Sequence, residues 1–367
     1  MRYLSCWLAV TGDTVGGGAA PAPPSPPGPA RVTLDDVARR AGVSSATASR
    51  ALGDHPHVAS STRARVREAA AALDYVASPE AARLAGGPGP TGRVAVLVPH
   101  PARWFYGELL EGLEAALRSA DLDLVLFRVG GPEERAAFFD RLPARRKVDA
   151  VVVLGFDVDE REHARLASLG VDVVAAAGHV PSCPRVGVDD HVAGRQATDH
   201  LIHLGHRRIG VITGGGGRRR AWRAALADAG IEPDDDLVAT VPPGGEEGEE
   251  GGGGGADGMA RLLGLRSPPT AVVAHDDETA LGAVRTLRRA GLRVPDDLSV
   301  VGVDDHPLAA LTDLTTVARP VRALGRRAGE LVRAALRGEL RERVPPAELL
   351  ATRLVLRGTT SPPGALR

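Results

Sequence analysis

Residues 33–52 read TLDDVARRAGVSSATASRAL, and the kind of protein this chain is turns on that stretch. Leu34, Val37, Ala38 and Ala41 fall at i, i+3, i+4 and i+7, the spacing that lines one face of a helix with apolar side chains. Thr33 offers an N-cap hydroxyl. Asp36, three residues on, can return the bond as a capping box, and Asp35 and Asp36 both suit the positive end of the helix. Gly42 breaks the run, and Ser44 or Ser45 can cap a second helix through Thr47, Ser49 and Arg50. Two short helices meeting at a tight turn fit a DNA-reading unit, and they also fit an ordinary helical hairpin in a core.

Moving outward, a connector GDHPHVAS leads to a third helix expected from about Ser61 to Asp74, where Val66, Ala69, Ala70 and Leu73 repeat the apolar face. Three such faces make a bundle of about 45 residues, marginal in size without a partner. In LDYVASPEAARLAGGPGP, Ser78 and Pro79 can open a short helix ending near Ala85, before a Gly/Pro linker. A two-turn helix does not hold by itself in water, so DNA or a twin chain is needed to order it. On the other side, residues 11–30 are mostly Gly, Ala and Pro, and 1–31 reads as a disordered extension.

From Arg93 short apolar runs alternate with amphipathic helices: RVAVLVP, FYGELLEGLEAALRSA, LDLVLFRV, a helix, then VDAVVVLGF. That alternation implies βα units on a parallel sheet buried on both faces. A second series follows, with helix 191–204, strand RRIGVIT, helix RAWRAALADAG, a weak strand LVATV, a helix near 257–264, strand TAVVAHD, helix 278–290 and strand LSVVGVD. Two such subdomains enclose a cleft, with ligands expected at the C-terminal ends of the strands. The acidic, glycine-rich PPGGEEGEEGGGGGADG reads as a surface loop.

The bulk numbers fit a soluble protein: 367 residues, 43% hydrophobic, 25% charged. A net charge of -1 gives no global field toward nucleic acid, so any DNA affinity must come from local basic patches. Lys147 is the only lysine, a bias that reads as GC-rich codon usage. Cys6 and Cys183 have no metal spacing and make no disulfide framework, which suits a reducing cytoplasm. MRYLSCWLAV is too short to span a bilayer and has no clear cleavage site after it, so the expectation is a cytoplasmic chain without membrane contact.

From about Val32 to Thr360 the chain resembles the lactose-repressor (LacI/GalR) family of transcriptional regulators. The matching phrases, in order, are VTLDDVARRAGVSSATASRAL, STRARVREAAAALDY, AARLAG, VGVDDHVAGRQATDHLIHLGHRRIGVI, PTAVVAHDDETALGAVRTLRRAGLRVPDDLSVVGVDD, LTTVARP and TRLVLRGTT. The resemblance implies an all-α helix-turn-helix headpiece plus a periplasmic-binding-protein-like module of two doubly wound α/β subdomains. The expected domains are 32–77 for the headpiece, 78–92 for hinge helix and linker, 93–360 for effector binding and dimerisation, and 361–367 as tail. Within the module, one subdomain takes about 93–190 and 319–346, the other about 191–318 and 347–360.

By the same resemblance the second helix lies in the major groove, with Ser45, Ala46 and Arg50 at base edges and Arg50 able to grip guanine O6/N7. Thr33, Ser44, Thr47, Ser49, Thr62 and Arg63 would hold phosphates or fix register, although a capping or packing role suits the hydroxyls equally. Leu84 corresponds to the hinge leucine that wedges into the minor groove. Gly53 stands where the family usually has Asn, and Ala77 where it has Pro. The effector contacts carry over onto Phe105, Tyr106, Arg218, His275 (where Asn is commoner) and Asp304, with Arg219 or Arg220 as alternatives to Arg218. Ala177 and Gly178 stand where polar residues often sit. The implied partners are a pseudo-palindromic DNA operator, a small polar effector and a second copy of the chain, as a dimer or higher assembly. No cofactor or metal is implied.

Three further motifs carry competing readings. GVITGGGGRRR suggests a phosphate cradle but lacks Walker A or dinucleotide spacing. His200, His203 and His206 lie three apart without an acid or sulfur ligand to complete a metal set. Asp189/Asp190, Asp276/Asp277 and Asp304/Asp305 could mimic catalytic carboxylate pairs, but no nucleophile, base and oxyanion donor converge. A small-molecule binding protein or enzyme on the same α/β scaffold is therefore the alternative to a regulator.

Overall fold

The structure is a computed structural model that describes residues 32–53, 57–75, 90–144, 147–214, 216–241, 253–340 and 347–364. The expected hinge helix with Leu84, the N-terminal extension and most of the acidic insert lie outside the described residues. Contacts divide the chain into two units that part between Gly89 and Pro90.

The first unit holds α1 (Leu34–Ala41), α2 (Ser45–Leu52) and α3 (Ser60–Ala72). The Thr33/Asp36 capping box forms in both directions, and Gly42 closes α1 at φ 65°, where a side chain would be strained. Ser44, not Ser45, caps α2, accepting from the Thr47 amide at 3.2 Å. The core consists of Val37, Val66 and six alanines: 38, 41, 48, 51, 69 and 70. Small side chains let three short helices approach closely, but they bury little apolar area, so the unit is weakly stabilised. Leu73, expected to continue the face of α3, ends that helix instead and is only half-buried.

The second unit contains two six-stranded sheets. The first is built from β1 (Arg93–Val98), β2 (Asp123–Arg128), β3 (Ala150–Leu154), β4 (Asp172–Ala176), β5 (Arg185–Gly187) and β11 (Glu348–Leu349), in the order β11-β5-β4-β3-β1-β2, all pairs parallel. Its helices are α4 (Trp104–Arg118), α5 (Pro132–Arg141), α6 (Glu160–Ala167) and α12 (Val321–Leu336). Val94 and Val96 face α4 and α12, while Ala95 and Leu97 pack with Phe138, Phe139 and Leu166 on the other side. Strict alternation with both faces buried explains why β1 is apolar at every position after Arg93.

The second sheet, in the order β12-β10-β9-β8-β6-β7, comprises β6 (Ile209–Thr213), β7 (Val238–Thr240), β8 (Ala271–Ala274), β9 (Ser299–Asp304), β10 (Thr316–Ala318) and β12 (Arg353–Val355), with only the β10/β12 pair antiparallel. It is flanked by α7 (Asp190–His203), α8 (Gly216–Asp228), α9 (Gly253–Leu263) and α10 (Asp277–Arg289), with the short α11 (Pro307–Leu311) after β9. The chain passes between lobes three times: after β5, after β10, and between β11 and β12. The last crossing follows Leu349, so Glu348 and Leu349 belong to the first sheet although residues from 347 onward were expected in the second lobe.

Close backbone approach holds α4 on α12. A Cβ on Gly112 would meet the Arg322 carbonyl oxygen at 2.0 Å, and one on Gly325 would meet that of Leu109 at 2.0 Å. Among the described residues no helix is long and apolar enough to cross a membrane.

Candidate functional site

In the first unit α2 is two-sided. Ala48 and Ala51 are buried, whereas Ser45, Ala46 and Arg50 are exposed together on the opposite side. Among the described residues Arg50 has no hydrogen bond or ion pair. Ser44 and Thr33 serve as caps; Thr47 shares a 2.9 Å hydrogen bond with Ser44, and Ser49 is half-buried. Thr62 and Arg63 open α3, with Arg63 donating to the Val58 carbonyl at 3.3 Å. The hydroxyls of Thr33 and Ser44 are thus both caps and exposed.

In the second unit a cavity of about 180 Å³ lies between the lobes, at the C-terminal ends of the strands. Phe105, Tyr106, Arg218, His275 and Asp304, which span 200 positions of sequence, all line it. Phe105 and Tyr106 sit in the first turn of α4 with rings packed edge to face, centroids 5.3 Å apart. Arg218, in the first turn of α8, is 5% exposed and donates to His275 Nδ1 at 2.8 Å, to the His275 carbonyl and to Asp190 Oδ1 at 3.2 Å. Its Nε–H is buried without a hydrogen-bond partner among the described residues. Arg219 instead pairs with Asp235 on the surface, and neither it nor Arg220 lines the cavity.

Residues that the sequence reading did not single out complete the wall. Arg319, at the crossing after β10, pairs with Asp304 and lies over the Phe105 ring at 4.5 Å. Arg103 spans the cleft, reaching Glu278 at 2.7 Å and Asp276 at 3.4 Å, and Trp104 meets His306 across it at 4.8 Å between centroids. Every guanidinium in the cavity therefore already faces a carboxylate. The available signals were weak: Asp190 and Asp276 stood in acid pairs, but nothing local marked Arg103 or Arg319.

The bareness of Gly178 has a packing cause. A Cβ on Gly178 would lie 2.2 Å from the Phe156 carbonyl oxygen, so no side chain fits there. Asp304 is held at φ 134°, a conformation that side chains seldom adopt and that its Arg319 pair helps to hold. Burial pushes its carboxyl up to about 6 against the opposing pull of Arg319. Burial also pushes Asp277 up to about 7, opposed by the Thr316 hydroxyl bonded to it at 2.6 Å. His275 is driven down to about 3, by burial first and then by Arg218, so its imidazole is neutral. Burial opposes the ionisation of Asp190, but Arg218 and then Arg319 outweigh it and hold that carboxyl below the usual range.

The competing motifs are otherwise occupied. Asp189 caps α7 and Asp276 caps α10, while Asp305 pairs with Arg357 at 2.6 Å. His206 is buried against Thr270, Ser299 and the Ser361 carbonyl, His200 bonds Thr360, and His203 bonds the Asp199 carbonyl. The three imidazoles thus have no partner in common.

Two family patterns match the chain: bacterial regulatory proteins of the lacI family over residues 33–78, and a periplasmic binding protein-like domain over residues 198–360. The transcriptional repressor CytR of Escherichia coli K12 is 31% identical over 342 residues, covering 89% of this chain and 96% of that protein. A lac repressor dimer bound to operator and the anti-inducer ONPF superposes with a TM-score of 0.74 at 26% identity, over 90% of this chain and 99% of that one. The transcriptional regulator CelR in complex with cellobiose gives a TM-score of 0.65 at 32% identity, over 90% and 100% of the two chains.

Proposed function

The chain belongs to the LacI family, DNA-binding transcriptional regulators with a small-molecule effector domain, and from that premise we propose that it is a homodimeric repressor whose effector is a neutral, hydroxyl-rich molecule. The observation that carries the effector class is that Arg103, Arg218 and Arg319 are each already paired with a carboxylate. An anionic effector would have to break one of these pairs and leave a carboxylate facing its own charge. A polyhydroxyl ligand instead accepts from the unpartnered Arg218 Nε–H, donates to Asp190 or Asp276, and stacks an apolar face on Phe105 or Trp104. Cellobiose in the CelR complex is a ligand of this chemical class. The cavity volume suits a monosaccharide or nucleoside better than a longer chain.

On the DNA side, Arg50, Ser45 and Ala46 face base edges in the major groove, and Thr33, Ser44, Thr47, Ser49, Thr62 and Arg63 hold the backbone. Leu84 is the minor-groove wedge of the same interface. Two copies read a pseudo-palindromic site, and the exposed Leu308 and Leu311 on α11 give a second copy an apolar surface to cover. Effector binding favours one closure of the cleft and so biases operator affinity through a coupling free energy.

Selection of bound duplexes from a randomised DNA pool tests the reading, followed by competition with a panel of neutral sugars, nucleosides and their phosphates. A palindromic consensus released by a neutral member supports it. Failure to enrich any consensus, or release by the phosphorylated members alone, refutes the corresponding half.

A further inference from the structure

Ser45, the first residue of α2, donates its hydroxyl hydrogen to Asp35 Oδ1 in the first turn of α1 at 2.5 Å. Both residues are exposed, and Asp35 has no other partner among the described residues; the nearby Asp36 carboxylate takes Arg39 at 2.9 Å and the Thr33 cap instead. A serine hydroxyl has a single hydrogen to donate, and an ionised carboxylate has none. Ser45 is therefore left facing outward with lone pairs only. Serine alone reads either kind of base group, because its hydroxyl turns to suit.

We propose that Asp35 is a positioning residue that converts Ser45 into an acceptor-only reader, so that the base edge opposite must carry an amino group: adenine N6 or cytosine N4. The proposal rests on α2 lying in the major groove, as argued above. Guanine presents O6 and N7 there, and thymine presents O4, all acceptors. Either would set lone pairs against the Ser45 oxygen and the negative charge behind it. Arg50 on the same helix offers only donors, so this face of α2 carries opposite requirements at its two ends. The two Cα atoms are separated by about 7.5 Å along the helix axis, which places the amino base within roughly three base pairs of the guanine that depends on Arg50.

The full-length protein and the variants Asp35→Ala, Ser45→Ala, Ser45→Thr and Arg50→Ala are each used to select from the same randomised duplex pool. The expected wild-type consensus contains, in each half-site, one adenine or cytosine whose preference falls by about 2- to 13-fold, the value of a single hydrogen bond, in both Asp35→Ala and Ser45→Ala. Ser45→Thr keeps that preference, and the guanine lost in Arg50→Ala survives in the other three variants. Removing the amino group from that base should weaken the wild type by the same factor and leave Ser45→Ala unaffected. A wild-type preference retained in Asp35→Ala overturns the proposal, as does a consensus identical in all the Ser45 variants. A wild type that enriches nothing refutes the DNA-reading assignment itself, which separates the two failures.

Discussion

Replacing Arg218 with methionine keeps most of the buried stem while removing the guanidinium that lines the cavity. In the free protein the loss falls on Asp190, whose side chain is 54% exposed and can exchange its partner for water, and on His275, whose buried Nδ1 and carbonyl lose their donor, so folding stability should fall by about 1–3 kcal/mol. The bound state differs. A hydrogen bond from a charged donor contributes about 1.5–3 kcal/mol, so losing the Arg218 contact should raise the effector Kd by about 10- to 150-fold. An effector at about 100 times its Kd stabilises the fold by about 2.7 kcal/mol, and a 50-fold weaker one at the same concentration by only about 0.6 kcal/mol. At about 2–4 °C per kcal/mol for a large domain, the ligand-induced rise in Tm shrinks from roughly 5–11 °C to about 1–3 °C. The assay is thermal unfolding with and without whichever neutral sugar or nucleoside stabilises the wild type, paired with a gel shift lacking effector. An unchanged Tm shift in Arg218→Met would remove Arg218 from the effector site. A lost gel shift would mark it as structural.

Arg50→Ala should lower selective binding by about 5- to 150-fold, the value of one bidentate guanine contact, while salt-dependent non-specific binding persists; titrations on specific and scrambled duplexes distinguish the two. Gly112→Ala and Gly325→Ala each drive a methyl to within 2.0 Å of a carbonyl oxygen on the facing helix, and each should cost at least about 2 kcal/mol in denaturant unfolding. His275 stays neutral when folded, down to about pH 3, but takes a proton near 6.5 when unfolded. The unfolded chain therefore binds the extra proton, and this contribution to stability is lost as pH falls below 6.5. The stability of His275→Asn relative to wild type should rise by up to about 1.4 kcal/mol per pH unit between 6.5 and 4.5. A flat difference across that range would show that the imidazole is not held neutral.

The elements whose causes lie within a few residues were legible in the sequence. The Thr33/Asp36 capping box, the Gly42 stop, the apolar stripe of α1 and the alternating faces of β1 all follow from spacing along one chain segment, and each forms as read. Repetition of βα units announced the two lobes, and a run of resemblances in order pointed to five residues that do meet at one cavity. Local pattern failed where the choice depended on a distant surface. Arg218, Arg219 and Arg220 are equivalent in composition, yet successive helix positions point about 100° apart, and packing against α7 and β8 alone selects Arg218 for the cleft. Arg103 and Arg319 find their carboxylates 175 and 15 residues away, Gly178 is bare because the Phe156 backbone passes over it, and Ser45 is committed by an acid on another helix. Short-range geometry determined the elements and the family; the charge balance of the cavity and the direction of the Ser45 hydrogen bond were decided by tertiary structure, because both depend on which groups meet in space, and spacing along the chain does not contain that.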